Sequence, residues 1–469
     1  MLTPITLDRT QCLQDQLCEQ LHDLICSGRL TAGTRMPSSR MLADQFGISR
    51  TTVLLAYERL IAEGLLETRP AQGTFVVQQQ QQQAAPLLTL VSGGEDGEAL
   101  VIDRKVWRPD PSLFPLARWR VLMRSALDQL GTGSARQHPT GDSGLRKAVA
   151  AWLSTSRGIA VLPEQIIVTD SRQQALHIAA HLALRPGGRV VVEDPCEEMT
   201  HATFTDAMAE ILPIPVDSDG MRTDKLPCAG AALVHVSPEH QRLLGSVLSE
   251  SRRHALLAWA QRVDALVLED DCQGELHYGT KHAPTLASLD QGERVLLMGS
   301  FAGALGPWVR MAYLAVPRRL VAAATTASQM IGSGSGRMEQ AALAELMQGG
   351  CYARHVHRIG KIYAARRDAM VSALHRHVGD NQTIWGEHAG LHLTWFPPSA
   401  IGPAHYVARM ARHSGLDAHA LPDRPHRGGV GGRAVMLSFG ALSEQQIDQR
   451  IARLAAILPG QPAMALSGD

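Results

Sequence analysis

Side chains suited to contacting a nucleic acid cluster near the start of the chain. Ser49 precedes Arg50, Thr51 and Thr52, which open a run of helix-forming residues. A guanidinium and hydroxyl groups at the N-terminus of a helix can reach phosphate oxygens and base edges when that end enters the major groove of DNA. The chemistry that this segment indicates is therefore recognition of duplex DNA.

Two helices separated by a short turn are predicted around these residues. Ser39 is expected to cap the first helix, over residues 40–46, and Ser49 to cap the second, over residues 50–63. A glycine follows each helix, at positions 47 and 64, where glycine is favoured as the residue that ends a helix. The two helices form the first part of a DNA-binding motif.

A hairpin follows the second helix. Strands predicted at 65–69 and 74–77 are joined by a turn with Pro70 and Gly73, which makes a wing. Apolar residues also share helix faces; these are Leu13, Leu17, Leu21 and Ile25 on a preceding helix, and Val53, Tyr57, Leu60 and Ile61 on the second. The order and the caps favour a winged helix over a helical hairpin with no DNA role.

The overall composition excludes a generally basic protein. The 469 residues carry 45 basic and 45 acidic side chains, and the first 77 residues hold seven arginines, no lysine and eight acidic residues. Attraction to DNA must therefore depend on where the arginines lie, and we expect dimerisation to reinforce it. The seven cysteines show no pairing or metal-ligand spacing, and no membrane span or signal peptide is apparent. We therefore expect a reduced, cytoplasmic protein with no membrane partner and no bound metal.

A polar, low-complexity linker divides the chain. Six glutamines at 78–83 are followed by an Ala-Ala-Pro sequence and by Gly93-Gly94. We place the winged helix at residues 8–77, the linker at 78–100, a large domain at 101–337 and a smaller C-terminal lobe at 338–460.

Beyond the linker, short apolar runs alternate with amphipathic helices such as those at 173–184 and 252–262. The predicted strands are Ile166–Val168, Val190–Val192, Leu233–Val236, Leu266–Leu268, Val295–Leu297 and Met311–Val316. This alternation predicts an α/β fold with a mainly parallel sheet covered on both faces. From about Met338 the pattern is long helices, strands near 391–396 and 435–439, and a closing helix at 444–458, which predicts an α+β lobe.

The whole chain resembles the MocR subfamily of GntR-family regulators, in which a winged helix is fused to a fold-type I aminotransferase-like domain. Within the large domain the resemblance is carried by several short segments in a fixed order. They are Val192-Glu193-Asp194-Pro195, Ser237-Pro238-Glu239-His240-Gln241 before Gly245, Leu256-Leu257-Ala258-Trp259-Ala260, Glu269-Asp270-Asp271 with Glu275-Leu276-His277-Tyr278, and Gly299-Ser300-Phe301 ahead of Gly306-Pro307 and Arg310. The resemblance implies that Arg40, Arg50, Thr51 and Thr52 contact DNA and that Gly73 forms the wing turn that enters the minor groove.

The resemblance also implies a pyridoxal phosphate site, but the position of its Schiff-base lysine is Gly303. A Schiff base needs a primary amine, which glycine lacks. The family's arginine, seven positions after the lysine, is present as Arg310. The chain has five lysines, none near this loop in sequence; only Lys281 is left open as a spatial substitute.

Other parts of the implied cofactor site are also changed. Asp270 matches the acid that pairs with the pyridine nitrogen, but Cys272 replaces a tyrosine that hydrogen-bonds the ring. The phosphate-binding turn reads Asp170-Ser171-Arg172-Gln173, which adds a carboxylate that Arg172 could offset. Cys196 stands where an aromatic residue is expected. These changes predict a degenerate site, with pyridoxal phosphate bound only weakly and non-covalently if at all.

The residues that survive each have a structural alternative. Asp270 could be a buried partner for a neighbouring arginine, and Arg310 could be an ion-pair residue instead of an anion ligand. His240 and Gln241 are predicted to line the pocket, although polar residues at strand ends also satisfy loop backbone.

We therefore expect a homodimeric transcription regulator that binds double-stranded DNA and whose aminotransferase-like domain has no catalytic residues. That domain would serve in dimerisation and as the receptor for a small anionic effector. Three alternatives remain at this point: a regulator that still senses pyridoxal phosphate, a pyridoxal phosphate-dependent aminotransferase that also binds DNA, and a regulator with no effector.

Overall fold

The computed structural model describes residues 13–26, 29–31, 33–62, 65–69, 73–76, 109–129, 138–278, 283–332, 336–380, 382–421 and 431–458. The chain divides into two compact units, residues 1–99 and 100–469. The predicted linker at 78–100, the predicted helix end at Gly64, the wing turn at Pro70, and two lysines, Lys105 and Lys281, lie outside the described residues.

The N-terminal unit contains the predicted helices and hairpin. Its elements are α1 (Leu13–Cys26), α2 (Ser39–Phe46), α3 (Arg50–Ala62), β1 (Leu66–Arg69) and β2 (Gly73–Val76). The two strands pair antiparallel, with Leu66 opposite Val76. Gly47, in the left-handed conformation, ends α2 as predicted.

One predicted cap lies a residue earlier than expected. Ser38, not Ser39, caps α2, because its Oγ accepts the backbone N–H of Met41 at 3.2 Å. Ser39 instead accepts a hydrogen bond from Arg50 Nε at 3.2 Å. Two adjacent serines offer the same chemistry, so the sequence could not distinguish which one takes the cap.

The core of this unit follows the predicted helix faces with one exception. Leu17 and Leu21 from α1 pack with Val53, Tyr57 and Leu60 from α3. Ile61, predicted on the same face as these residues of α3, is 37% exposed. The apolar stripe of α3 is completed by the smaller Ala56, which is fully buried.

The second unit begins with the large domain. Its helices are α4 (Leu116–Gln129), α5 (Ser143–Arg157), α6 (Arg172–Ala183), α7 (Glu198–Asp206), α8 (Glu250–Val263), α9 (Leu286–Leu289), α10 (Ala302–Leu305) and α11 (Val321–Ile331). Its strands are β3 (Ile166–Thr169), β4 (Arg189–Asp194), β5 (Glu210–Asp217), β6 (Gly220–Met221), β7 (Ala231–Val236), β8 (Leu266–Asp270), β9 (Val295–Ser300) and β10 (Ala312–Ala315).

These strands form one eight-stranded sheet in the order β3-β10-β9-β8-β7-β4-β5-β6. Strands β4, β5, β7, β8 and β9 pair in parallel, whereas β10 is antiparallel to both β3 and β9. The predicted mainly parallel sheet is therefore confirmed. The ends of β3, β4, β8 and β9 consequently meet at one edge, where ligands bind in open α/β sheets.

The C-terminal part of the chain matches the predicted α+β lobe. Its elements are α12 (Arg337–Gln348), α13 (Cys351–Val378), β11 (Thr383–Trp385), β12 (His392–Phe396), α14 (Ala404–His413), β13 (Asp417–Ala420), β14 (Val435–Ser438) and α15 (Glu444–Ile457). The four strands form an antiparallel sheet in the order β11-β12-β14-β13. Within the described ranges, no helix is both long and apolar enough to cross a membrane.

Candidate functional site

The N-terminus of α3 presents the predicted DNA-contacting residues together. Ser49 caps the helix, because its Oγ accepts the backbone N–H of Thr52 at 3.0 Å and also lies 2.8 Å from Thr52 Oγ1. Arg50 and Thr51 are exposed at this end, as is Arg40 in the first turn of α2. The hydrogen bond from Arg50 to Ser39 links the starts of α2 and α3. The two helix N-termini therefore offer one surface with backbone donors and guanidinium groups, which suits a phosphate backbone.

Two arginines that the sequence analysis did not single out lie at the wing, Arg69 in its first strand and Arg35 against its second. Gly73 opens β2 with φ of 116°, a conformation that favours glycine, and a Cβ there would lie 3.2 Å from Arg35 Nε. Arg35 forms an isolated bridge with Phe75, and Arg69 lies over the ring of Phe75 at 4.6 Å. Arg35 stands outside any regular strand, so no periodic pattern marked it.

A cavity of about 570 Å³ opens at the sheet edge where the large-domain strands end. Its volume is in the range of small-molecule sites. The described residues that line it include the turn before α6, the start of α7, the loop after β8 and the segment from Ser300 to Met311. No lysine is among the lining residues that the structure describes. Apolar walls come from Met199, Ala202, Leu276, Ala302, Met311 and Leu391.

Four charged side chains form a continuous ion-pair network at this site. Arg172 Nε and Nη2 lie 2.7 and 2.6 Å from Asp270 Oδ2, and Arg172 Nη1 lies 2.8 Å from Glu197 Oε2. Arg242 Nε donates to the same Glu197 oxygen at 2.8 Å. Arg172 also donates to Thr200 Oγ1 at 2.9 Å. The network of Asp270, Arg172, Glu197 and Arg242 thus alternates negative and positive groups, and each charge faces an opposite one.

The network keeps its carboxylates ionised despite their burial. Burial alone would raise the pKa of Asp270, but the Arg172 guanidinium outweighs the effect of burial and holds that pKa well below its usual value. Burial likewise opposes ionisation of Glu197, and Arg172 and Arg242 together lower its pKa. The structural alternative for Asp270, a buried partner for a neighbouring arginine, is therefore the arrangement observed.

Cys272 lies beside this network as a neutral group. Its backbone N–H donates to Asp270 Oδ1 at 3.2 Å. Burial and the negative charge of Asp270 raise the pKa of the Cys272 thiol well above its usual value. The side chain therefore contributes an uncharged, weakly polar wall to the cavity.

Gly303 and Arg310 also border the cavity. Gly303 lies in α10, and a Cβ at this position would be 3.5 Å from the Cys272 carbonyl oxygen, an ordinary contact. Neither backbone strain nor crowding therefore requires glycine there. Arg310 is exposed at the cavity wall and has no ion-pair or hydrogen-bond partner among the described residues. Arg172 and Arg242 of the same cavity are ion-paired, so Arg310 is the arginine best placed to bind an anion.

His240 and Gln241 lie outside the described lining of this cavity, contrary to the predicted placement. Gln241 Nε2 donates to the Pro195 carbonyl oxygen at 2.8 Å, and its Oε1 accepts the backbone N–H groups of Leu243 and Leu244. The His240 ring packs against His392 with centroids 4.8 Å apart, and desolvation lowers its pKa to about 3. Gln241 therefore satisfies loop backbone, as the structural alternative proposed, whereas His240 is packed in the interior.

The two units also match known families. Residues 13–76 match the family described as bacterial regulatory proteins, gntR family, and residues 111–405 match aminotransferase class I and II. In structure, the chain is similar to a kynurenine aminotransferase from Pyrococcus horikoshii, with a TM-score of 0.67, 25% identity, and coverage of 74% of this chain and 88% of that one. An archaeal alanine:glyoxylate aminotransferase gives the same TM-score at 26% identity, again over 74% and 88% of the two chains.

Relatives that span both units are regulators. The HTH-type transcriptional regulator YdeL of Bacillus subtilis is 31% identical over 95% of this chain and 96% of its own. The probable rhizopine catabolism regulatory protein MocR of Rhizobium meliloti is 32% identical over 81% and 80% of the two chains. The pyridoxine biosynthesis regulator PdxR of Corynebacterium glutamicum is 30% identical over 94% of each. With its winged helix joined to an aminotransferase-like domain, the chain belongs to the MocR subfamily of GntR-type DNA-binding transcriptional regulators.

Proposed function

We propose that this regulator works as a homodimer whose aminotransferase-like domain has no catalytic activity and holds no covalent pyridoxal phosphate. The observation that carries the proposal is Gly303, which borders the cavity where the family motif has its Schiff-base lysine. Three of the five lysines, Lys147, Lys225 and Lys361, are described and do not line the cavity. A transamination cycle needs a primary amine at the reacting carbon, and the described residues of this wall offer none.

The neighbouring side chains support the same conclusion. Asp270, which would pair with a protonated pyridine nitrogen, is already held by Arg172 at 2.6 Å. A pyridine ring would have to displace a buried guanidinium and leave Glu197 with one partner fewer. Cys272 replaces a phenolic hydroxyl with a neutral thiol. The residues present therefore do not fit covalently bound pyridoxal phosphate, and we derive no reaction step from it.

The cavity nevertheless suits a small effector held without a covalent bond. Arg310 offers a guanidinium with no partner among the residues that the structure describes, and the walls beside it are largely apolar. A carboxylate or phosphate on a compact apolar body would meet Arg310 through charge-assisted hydrogen bonds. The proposed effector is thus a small anion, and pyridoxal phosphate could enter only as a weak, reversible ligand of this kind.

The energetics of DNA binding favour a dimer with two winged-helix domains, each called a head below. The winged helix has no global positive charge, so one head gains little from long-range attraction to DNA. Joining two heads makes the second binding event intramolecular, which multiplies the overall affinity without new contacts. Trp308, 62% exposed next to the cavity segment, gives the second unit an apolar side chain suited to an interface.

The test of the cofactor proposal uses the full-length protein with added pyridoxal phosphate. We expect no visible-edge absorption band of a lysine-bound Schiff base, and no adduct on the peptide holding Gly303 after borohydride reduction. An authentic fold-type I aminotransferase serves as the positive control. A stoichiometric adduct mapped by peptide mass to Lys281, or to any other lysine, would overturn the proposal and restore cofactor sensing.

The test of DNA recognition is independent of the cavity. Arg50→Ala should weaken operator binding by about 1–3 kcal/mol if the guanidinium makes a bidentate base contact. Binding of the unaltered protein should also fall steeply with salt, because phosphate neutralisation releases counterions. Fluorescence anisotropy with a labelled duplex measures both, and analytical ultracentrifugation gives the mass of the free protein. Unchanged operator affinity in a folded Arg50→Ala variant would refute this placement, and a monomeric mass would refute the dimer.

A further inference from the structure

Two large apolar side chains are exposed in the first half of α3, the helix that reads DNA. Leu54 is 41% exposed and Leu55 is 42% exposed, whereas Val53, Ala56, Tyr57 and Leu60 of the same helix are buried in the core. Helix α3 therefore already has a complete apolar stripe facing its own unit. The exposed leucines are additional to that stripe and make no contribution to it.

Helix geometry places Leu54 on the DNA-reading side. Successive residues are about 100° apart around the axis, so Leu54 projects about 40° from Arg50 and about 60° from Thr51. It thus lies between these two exposed residues in projection, roughly one turn further along the helix. Leu55 lies beyond Thr51, on the side away from Arg50. Leu54 consequently continues the surface that Arg50 and Thr51 begin.

We infer that Leu54 reads thymine in the operator through the 5-methyl group of the base. The major groove presents hydrogen-bond donors and acceptors on every base pair, but the thymine methyl is its distinctive apolar group. A leucine side chain has no donor or acceptor, so it can discriminate only by apolar contact and by leaving polar base atoms unsatisfied. This inference rests on DNA binding by α3 and adds a specificity-determining residue to it.

The alternative role for an exposed leucine beside guanidinium groups is a contact with a second copy of the protein. The position of Leu54 favours DNA, because Arg50 and Thr51 are its neighbours on both sides and their chemistry suits phosphates and base edges. Burying Leu54 in a protein interface would also cover the side chains of Arg50 and Thr51. The two uses therefore exclude each other and can be separated by experiment.

The probe is a labelled duplex selected from a random-sequence library by the full-length protein. Each thymine of the half-site is replaced in turn by deoxyuridine, which lacks only the 5-methyl group. At one thymine position per half-site we expect about fourfold weaker binding per head, the change that loss of one methyl from an apolar contact produces. In Leu54→Ala the same replacement should have no further effect, because the leucine side of the contact is already gone.

Ile61→Ala is the matched control. Ile61 is 37% exposed and projects about 20° from Arg50, but it lies seven residues beyond Leu54, about 10 Å further along the axis. Its variant should keep the full penalty for deoxyuridine.

Three results would overturn the inference. The first is that no deoxyuridine replacement in the half-site weakens binding. The second is that the loss of affinity caused by deoxyuridine persists in Leu54→Ala. The third is a change of oligomeric mass in Leu54→Ala. Failure to select any duplex would instead refute DNA binding itself.

Discussion

Arg172 is the residue through which the ends of three segments are joined. It opens α6, and its guanidinium reaches Asp270 at the end of β8 and Glu197 just before α7. The side chain of Asp270 is 1% exposed, so ionisation without a partner would be costly. Ion pairs therefore hold this wall of the cavity in place, whereas the rest of the unit is held together by apolar packing.

Removing either partner should destabilise the aminotransferase-like unit. We expect Arg172→Met or Asp270→Asn to cost about 3–5 kcal/mol, as for other broken buried ion pairs, and the double variant to cost less than the sum. All seven tryptophans follow residue 100, so tryptophan fluorescence during urea unfolding reports on this unit.

The control is Arg189→Met, whose partner Glu210 is 52% exposed, and which should cost under about 1 kcal/mol. If the two single effects simply add, Arg172 and Asp270 are not energetically coupled, and the role given to the network is wrong.

Restoring the missing amine should not restore the cofactor. Space exists for a side chain at Gly303, whose Cβ would make ordinary contacts, so Gly303→Lys should fold. Arg172 would still occupy Asp270, and Cys272 would still offer no phenolic hydroxyl. The variant should therefore bind pyridoxal phosphate weakly, measured as absorbance against cofactor concentration, and the new amine should lie near apolar walls with its charge poorly paired. Tight stoichiometric binding by this single variant would show that the other changes are immaterial.

The candidate site was predictable in part at this scale. Gly303, Cys272 and Arg310 were found because the resemblance assigns each a position in the motif, and the structure places all three at the cavity. The pairing of Arg172 with Asp270 joins residues 98 apart in sequence. The sequence analysis included it only as the structural alternative for Asp270, a buried partner for a neighbouring arginine. His240 and Gln241 are outside the described lining of the cavity, which the sequence could not show, because a polar residue after a strand looks the same in sequence whether it faces a cavity, satisfies a loop as Gln241 does, or packs in the interior as His240 does.

At the scale of elements, the strand prediction succeeded where the apolar runs were uninterrupted. It missed the short strands β11 and β13 of the C-terminal lobe, β5, which contains Pro213 and Pro215, and the two-residue β6 beside it. Proline removes a backbone donor and so argues against a central strand. Strand β5 tolerates both prolines because it lies next to the edge of the sheet, where only β6 follows.

The loop after β8 connects to helix α13 through a buried acid. The Tyr352 hydroxyl of α13 donates to the Glu275 carboxylate, which is buried. Burial raises the pKa of Glu275 to about 7, despite the lowering effect of that hydrogen bond. Between about pH 4.5 and about pH 7 the folded protein therefore holds a proton here that the unfolded chain has already released.

This difference sets the sign of a pH effect. A carboxyl whose folded pKa is raised stabilises the fold at low pH, and the advantage is lost as pH rises from about 4.5 through about 7. Glu275→Gln removes this titration, so its stability relative to the unaltered protein should improve between pH 5 and pH 8.

The measurement is the difference in urea midpoint between the two proteins across that range. Glu164→Gln, at an exposed acid, should show a flat difference. A flat difference for Glu275→Gln as well would mean that Glu275 does not titrate in this window.

At the scale of the whole molecule, the chain combines a reading head with a domain whose fold is shared with enzymes. Fold alone does not fix chemistry, which depends on the groups in the site. In the described residues those groups are a closed ion-pair network, a neutral thiol and one free guanidinium. On the function proposed above, such a site holds a small ligand and does not transfer an amino group.

The segment at 78–100, which joins the two units along the chain, lies outside the described residues. Its composition predicts a flexible tether, whose reach grows with the square root of its length. For about 23 residues the root-mean-square span is about 26 Å, and deletion of six shortens it to about 23 Å. Two heads on such tethers should accept half-sites at a range of separations.

Deleting Gln78–Gln83 should therefore narrow the range of half-site spacings that the dimer binds. The measurement is anisotropy with a series of duplexes in which the spacer between two half-sites grows by single base pairs through a full helical turn. Replacing the six glutamines by a Gly-Ser sequence of equal length is the matched control, because it keeps the reach while removing any helical tendency of the tract. If the Gly-Ser replacement leaves the range of bound spacings unchanged and the deletion narrows it, the length of the tract alone sets that range. If the tract is instead a helix that fixes the orientation of the heads, the replacement will broaden the profile; a deletion that leaves the profile unaltered counts against a tether altogether.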